Sequence, residues 1–335
     1  MGNPAFFHCN RRLAVVSAEG GTPRSLTEEF DEDTHLIDWK SDGIYFWGFQ
    51  KTSSHLFRIQ PDKPQITRLT SSDNLQAFGF SLTHDGRQMA FVTGSPSSLR
   101  EVFISEVNGF SPRKLTDMTR QTRSLILGKS EVISWKSKDG TTIEGVLTKP
   151  ADFDPAKKRP LLCIIHGGPT GFDQPTLLAN RYDYPADIWA GGGALILRVN
   201  YRGSTGYGEK FRQLNVGNLG VGDAWDVLSG VDHLIKLGWV DLHGLEPGRL
   251  YLGLPDHFIG SLRGHFRGRR HLQLGDVLLQ HRHNPVHDPV PRQGPDYRPS
   301  GLSKDFAHVL HQERENTDAD PARRIRQARA DRQRL

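Results

Sequence analysis

Leu161-Leu162-Cys163-Ile164-Ile165-His166-Gly167-Gly168-Pro169 is an unbroken apolar run that ends abruptly in a histidine, two glycines and a proline. An apolar run without polar alternation suits a strand covered on both faces, as in a parallel sheet. A second run, Gly193-Ala194-Leu195-Ile196-Leu197-Arg198-Val199, ends in the polar, glycine-rich Asn200-Tyr201-Arg202-Gly203-Ser204-Thr205-Gly206-Tyr207-Gly208. Before them, Val132 to Lys136 and Thr142 to Leu147 flank Asp139-Gly140, which predicts a hairpin. After them, Ala224, Val227, Leu228, Val231, Leu234 and Ile235 have helical spacing within residues 223–237, and Arg249 to Gly253 predicts the next strand. Strand, helix and strand in this order predict a doubly wound α/β domain over residues 131–253.

Residues 1–130 have a different texture. Arg24-Ser25-Leu26-Thr27, Thr67-Arg68-Leu69-Thr70 and Arg113-Lys114-Leu115-Thr116 are copies of one phrase, spaced 43 and then 46 residues apart. Alternating runs fall between them, among them Gly43 to Trp47, His55 to Ile59, Gln88 to Val92 and Glu101 to Ser105. Short strands repeating at this period predict the blades of a β-propeller, here about three and so an incomplete ring, with Met1 inside the first. A β-sandwich with accidental repeats is the alternative.

Composition limits the function classes. The chain has 335 residues, 36% of them hydrophobic, and a formal net charge of +5. The basic excess gathers after residue 253, in a segment crowded with Arg, His, Pro and Gln and lacking amphipathic period, so it does not by itself predict a nucleic-acid partner. Cys9 and Cys163 are far apart without metal-ligand spacing, and Cys163 reads as a small core residue. No cofactor and no metal is expected. Neither a signal-peptide layout nor a membrane-spanning run is evident, which makes a cytoplasmic protein the default expectation, subject to any segment upstream of Met1.

Two loops carry the chemistry. Consecutive glycines after Ile165 let backbone N–H groups approach a substrate, as an oxyanion hole requires. The loop from Asn200 to Gly208 lies at the strand end where α/β sheets bind ligands. H-G-G-P followed some thirty residues later by N-Y-R-G-S-x-G-Y-G resembles the prolyl oligopeptidase family, above all its acylaminoacyl-peptidase and dipeptidyl-peptidase branches. The resemblance covers about residues 10–253. It implies a propeller joined to an α/β-hydrolase that cleaves short peptides through a serine acyl-enzyme, with His166, Gly167, Gly168, Pro169, Asn200, Tyr201, Arg202, Gly203, Ser204, Gly206, Tyr207 and Gly208 forming the oxyanion and substrate loops.

The same resemblance implies a nucleophile elbow, G-x-S-x-G, directly after the strand ending at Gly253. The chain instead has Gly253-Leu254-Pro255-Asp256-His257, with Pro255 in the serine's position. Ser261 has one glycine at a useful spacing and reads as a loop residue. Residues 254–335 hold no match to the family's aspartate phrase or its histidine, and His281, His283 and His287 lie in no pattern that would support a metal site. A one-base slip of the coding frame accounts for this. Reread from the second base of each codon, residues 311–330 permit I-K-N-V-K-T-P-T-L-I-Q-H-G-E-S-D-R-R-V-P, which matches the family's strand and aspartate loop with the aspartate across Arg326. The chain stops before that frame reaches the histidine. Residues 254–335 are therefore expected to be irregular, to leave a sheet edge uncovered, and to yield a poorly soluble, inactive product. A non-catalytic propeller module, a carboxylesterase-like hydrolase and a basic-tail nucleic-acid binder are the alternatives; oligomeric state is open.

Overall fold

The structure, a computed structural model, describes residues 8–168, 170–178, 186–240, 250–254 and 277–281. A two-stranded ribbon, β1 (Ala14–Val15) and β2 (Arg24–Ser25), comes first. Two four-stranded antiparallel meanders follow. The first is β3 (Thr34–Lys40), β4 (Gly43–Gln50), β5 (Ser53–Gln60) and β6 (Lys63–Arg68); the second is β7 (Gln76–Leu82), β8 (Gln88–Ser95), β9 (Ser98–Glu106) and β10 (Arg113–Lys114). Among the described residues, only the Ser54–Gln76 bridge joins the meanders by strand pairing. Side chains do the rest. Alternation along β4 sends Ile44 and Phe46 to one face and Tyr45 to the other. The first pair packs with Leu26, Phe30 and Phe57 beside the ribbon, while Tyr45 packs with Leu56, Met89 and Phe91 toward the second meander.

Where the repeats predict about three blades, the described chain has two full meanders and a ribbon equivalent to the last two strands of each. The repeated Leu-Thr phrase is the reason. The N–H groups of Leu26, Leu69 and Leu115 donate to the carbonyls of Leu13, Leu56 and Val102, each at 2.8 Å. The hydroxyls of Thr27, Thr70 and Thr116 then accept the N–H groups of those same three residues, at 2.9, 3.3 and 3.0 Å. Each phrase is thus a lock that fastens an outer strand to its neighbour.

The second layer is a mixed sheet of β11 (Lys129–Lys136), β12 (Thr142–Lys149), β13 (Leu161–Ile165), β14 (Leu195–Asn200), β15 (Leu250–Leu254) and β16 (Val277–His281), ordered β11-β12-β14-β13-β15-β16. The expected hairpin forms with Lys136 opposite Thr142, and β13 runs parallel to both β14 and β15. The helices are α1 (Ala186–Gly191), α2 (Glu209–Gln213) and α3 (Gly222–Lys236). Leu161, Cys163 and Ile165 face α3 residues Val227, Val231 and Leu234, whereas Leu162 and Ile164 pack with Ala186 and Ala190 of α1. Burial on both faces explains the unbroken apolar run. It also pushes the Cys163 thiol up to about 12, as befits a core residue.

One expectation fails at the far edge. The apolar stretch Val277-Leu278-Leu279 does not stay irregular: it forms β16, parallel to β15 from Leu250–Val277 to Leu254–His281, so the edge of β15 is paired. A short apolar, β-prone run beside an open strand gains a ladder of backbone hydrogen bonds by joining it. His281 therefore ends a strand, against the expectation of no regular element there. His283, His287 and the remainder of 254–335 lie outside the described residues.

Two measurements test the repeat locks. Thr70→Val strands the buried Leu56 N–H and takes a partner from His55 Nδ1, so urea unfolding of the full chain is expected to show a loss of about 1–3 kcal/mol. Equal midpoints would contradict the lock. Glu101 is the pH-sensitive copy. Burial pushes its carboxyl up, but hydrogen bonds from Thr116, the Met118 N–H and Thr119 overcome that and bring it down to about 2 from 4.5. A carboxyl depressed in the folded state stabilises fully above the unfolded value and loses that contribution as pH falls through the folded one. The wild-type chain should lose stability between about pH 4.5 and 2, and Glu101→Gln should flatten that part of the profile.

Candidate active-site scaffold

Register brings three strand ends to one edge of the sheet. Ile165 lies opposite Val199, and Ile164 opposite Gly253, so β13, β14 and β15 release their following loops side by side. The chain crosses from β14 over β13 to β15, which makes this the edge where open α/β sheets bind ligands.

The first loop opens outward. Gly167 and Gly168 are exposed, Gly168 has φ +61°, and no described residue approaches the space a Cβ would take at either. His166 turns the other way. Its ring is buried, stacks on Tyr201 with centroids 4.3 Å apart, and lies 3.0 Å through Nε2 from Ser204 Oγ. The Tyr201 hydroxyl donates to the His166 carbonyl at 3.0 Å, so the two loops are clasped twice. Pro169 lies outside the described residues.

The second loop is almost wholly internal. Asn200, Tyr201, Arg202 and Ser204 are each no more than 2% exposed. The Asn200 amide holds the 173 backbone from both sides, accepting the Asp173 N–H at 2.6 Å and donating to its carbonyl at 2.9 Å. It also donates to the Tyr207 hydroxyl, whose ionisation is pushed far up by burial and then by the charge of Glu144. Ser204 Oγ donates to the Tyr201 carbonyl at 2.6 Å. Arg202 is the anchor. Its Nε and Nη2 grip the two oxygens of Asp226 on α3 at 2.9 and 2.7 Å, and Nη1 reaches Asp139 in the β11–β12 turn at 2.8 Å. Burial works against the charged guanidinium, but the two carboxylates outweigh it and hold the group above its usual range. The same contact to Arg202 keeps Asp139 well below the usual carboxylate range.

The loop's glycines face the first meander. At Gly206 (φ +99°) a Cβ would overlap the Lys51 carbonyl, and at Gly208 (φ +88°) it would overlap the Asp31 carboxylate. Glu32, 3% exposed, accepts the N–H groups of Gly206 and Gly208 and pairs with Arg212, which also reaches Asp33 at 3.2 Å. Gly203, on the same loop, is buried with φ +96°.

Residues 180–245 match the prolyl oligopeptidase family. An uncharacterized peptidase, YuxL, of Bacillus subtilis is 28% identical over 234 residues, covering 69% of this chain and 32% of its own length. A probable dipeptidyl-aminopeptidase B of Aspergillus clavatus is 27% identical over 212 residues, covering 61% and 23%. Among solved structures, an acylaminoacyl peptidase in complex with Z-Gly-Gly-Phe-chloromethyl ketone superposes with a TM-score of 0.60 at 20% identity, over 75% of this chain and 38% of that one. The Pyrococcus horikoshii acylaminoacyl peptidase gives 0.58 at 21% identity, over 71% and 36%. The chain is similar to members of the prolyl oligopeptidase family over this match. It spans about a quarter to a third of the length of the two curated relatives named, and its sheet-rich fold resembles the family's propeller and hydrolase architecture.

Of the described residues that the family motifs single out, only Gly167 and Gly168 are exposed with open space beside their backbone. The polar side chains of Asn200, Arg202 and Ser204 are spent on holding the loops in place. Glu32, Asp226 and Arg212, which complete that frame, carry no motif in the sequence, and Asp139 reads there only as a turn residue. Asp226 left one trace: an acid inside the apolar stripe Ala224, Val227, Leu228 of a core-facing helix needs a buried cation. Asp226→Ala leaves the Arg202 guanidinium buried with half its partners, and chemical unfolding should show a loss of about 3–5 kcal/mol. The apolar pair Arg202→Met with Asp226→Leu should recover much of it; a double variant as weak as the single one would refute the pairing.

Proposed function

We propose that this scaffold is that of a serine peptidase acting on short peptides, in which the Gly167–Gly168 turn supplies oxyanion N–H groups to an acyl transfer at the carboxyl edge of β13. The observation that carries the proposal is the contrast at that edge. Among the described residues, the side chains of Asn200, Arg202 and Ser204 beside that edge are buried and hydrogen-bonded, while Gly167 and Gly168 are exposed and unobstructed. Donors held in advance around an empty position are what a developing oxyanion needs.

The polypeptide itself does not complete that reaction. β15 ends at Leu254, and Pro255 follows, where the family motif calls for a serine on a strand-to-helix turn. A proline has no nucleophile, and neither aspartate nor histidine phrase occurs in frame through residues 254–335. Acyl transfer by a triad requires all three groups together. The rereading of residues 311–330 supports a frame slip near residue 254 as the origin of the loss.

Incubation of the full chain with an active-site serine phosphonate, followed by mass spectrometry, is expected to show no adduct. Short N-blocked peptides should remain uncut in parallel. An adduct abolished by changing one serine, together with turnover, would overturn the inactivity. Nucleotide sequence through codons 250–280 showing one uninterrupted frame shared with active relatives would remove the frame slip.

A further inference from the structure

Between the second meander and the segment that descends from the glycine turn lies a cavity of about 350 Å³, inside the roughly 300–1,000 Å³ span of small-ligand sites. Its walls are built by both sides: Phe78 and Leu99 from the meander, Met118 from the turn after it, and Leu177 from the descending segment. The Leu177 N–H donates to the Ser95 carbonyl at 2.9 Å, which fixes the two walls against each other.

Two polar groups in these walls lack the partners their chemistry asks for. Arg100 is exposed, and its guanidinium lies 4.7 Å above the Phe78 ring with no acidic partner among the described residues. Gly94 sits opposite its stem, at a shift in the β8–β9 register between Thr93 and Ser95, where a Cβ would stand 3.5 Å from Arg100 Cγ. Register irregularities of this kind re-aim side chains. Gln76 is 5% exposed. Its Nε2 donates to the Pro175 carbonyl at 3.0 Å, which fixes the orientation of the amide, and its Oε1 has no hydrogen-bond partner among the described residues. A buried acceptor left unpaired costs about 1–3 kcal/mol, which a ligand donor would return.

We propose that this cavity takes the C-terminal end of a peptide with an apolar last residue. The free carboxylate pairs with Arg100, the last amide N–H donates to Gln76 Oε1, and the side chain lies among Phe78, Leu99, Met118 and Leu177. A cation, an orphan acceptor and an apolar enclosure match the three features that such an end carries together. A bare inorganic anion would use only the first. Binding here needs no nucleophile, so it stands apart from the hydrolytic reading above.

The test is calorimetric titration of the full chain with acetyl-glycyl-phenylalanine and with its C-terminal carboxamide. The free acid should bind, and the carboxamide should bind at least about tenfold more weakly, the loss expected for a hydrogen bond to a charged group. Arg100→Gln should cost the free acid a similar factor and leave the weak carboxamide unchanged; Arg100→Lys should fall between. Far-UV circular dichroism checks that both variants keep their strands. Added salt should weaken the free acid more than the carboxamide. Equal affinity for acid and amide, full affinity in Arg100→Gln, or no binding of the acid at millimolar concentration would each overturn the proposal, whatever the outcome of phosphonate labelling.

Discussion

The buried pair between Arg202 and Asp226 governs the α/β layer. It joins three elements that the backbone alone leaves independent: the loop after β14, helix α3 and the turn between β11 and β12. Ser137 adds a hydroxyl to Asp226 at 2.6 Å, and the Trp135 indole donates to the Asp226 carbonyl at 2.9 Å. Two charges removed from water are tolerable only when geometry and extra hydrogen bonds are this complete. With the loop pinned at Arg202, Tyr201 falls under His166 and the glycine turn is held from below.

The seam to the first meander is built on a second buried pair, Glu32 with Arg212, and it depends on backbone rather than bulk. Gly206 and Gly208 lie so close to Lys51 and Asp31 that only hydrogen atoms fit, and Glu32 reads their N–H groups directly. The Lys51 N–H in turn donates to the Gly206 carbonyl at 2.6 Å. One short loop thereby serves both as the support under the glycine turn and as the plate on which the β-rich part is mounted. A substitution there would disturb both at once.

Much of this was legible in sequence because it follows from local pattern. Continuous apolar runs announced β13 and β14, helical spacing announced α3, and the Leu-Thr phrase announced repeating strands. The division of labour within the loops was not legible. A motif such as N-Y-R-G-S-T-G-Y-G states which residues are required but not whether each touches a ligand or a neighbour. Here the partners of Arg202 and of Gly206 come from Asp139, Asp226 and Glu32, remote in sequence, and no local pattern pairs them. The strand at Val277–His281 was missed for a related reason: five residues in a polar setting become a strand only when an open edge is already present.

The threonine locks have an evolutionary side. Each outer strand is fastened by its own leucine amide and its own threonine hydroxyl, while successive meanders share a single bridge at Ser54 and Gln76. A unit that carries its own fastening can be duplicated or deleted as a block without rewriting its neighbours. Such modularity gives gene duplication a ready substrate, and it lets the number of units change while the α/β layer keeps a core of its own.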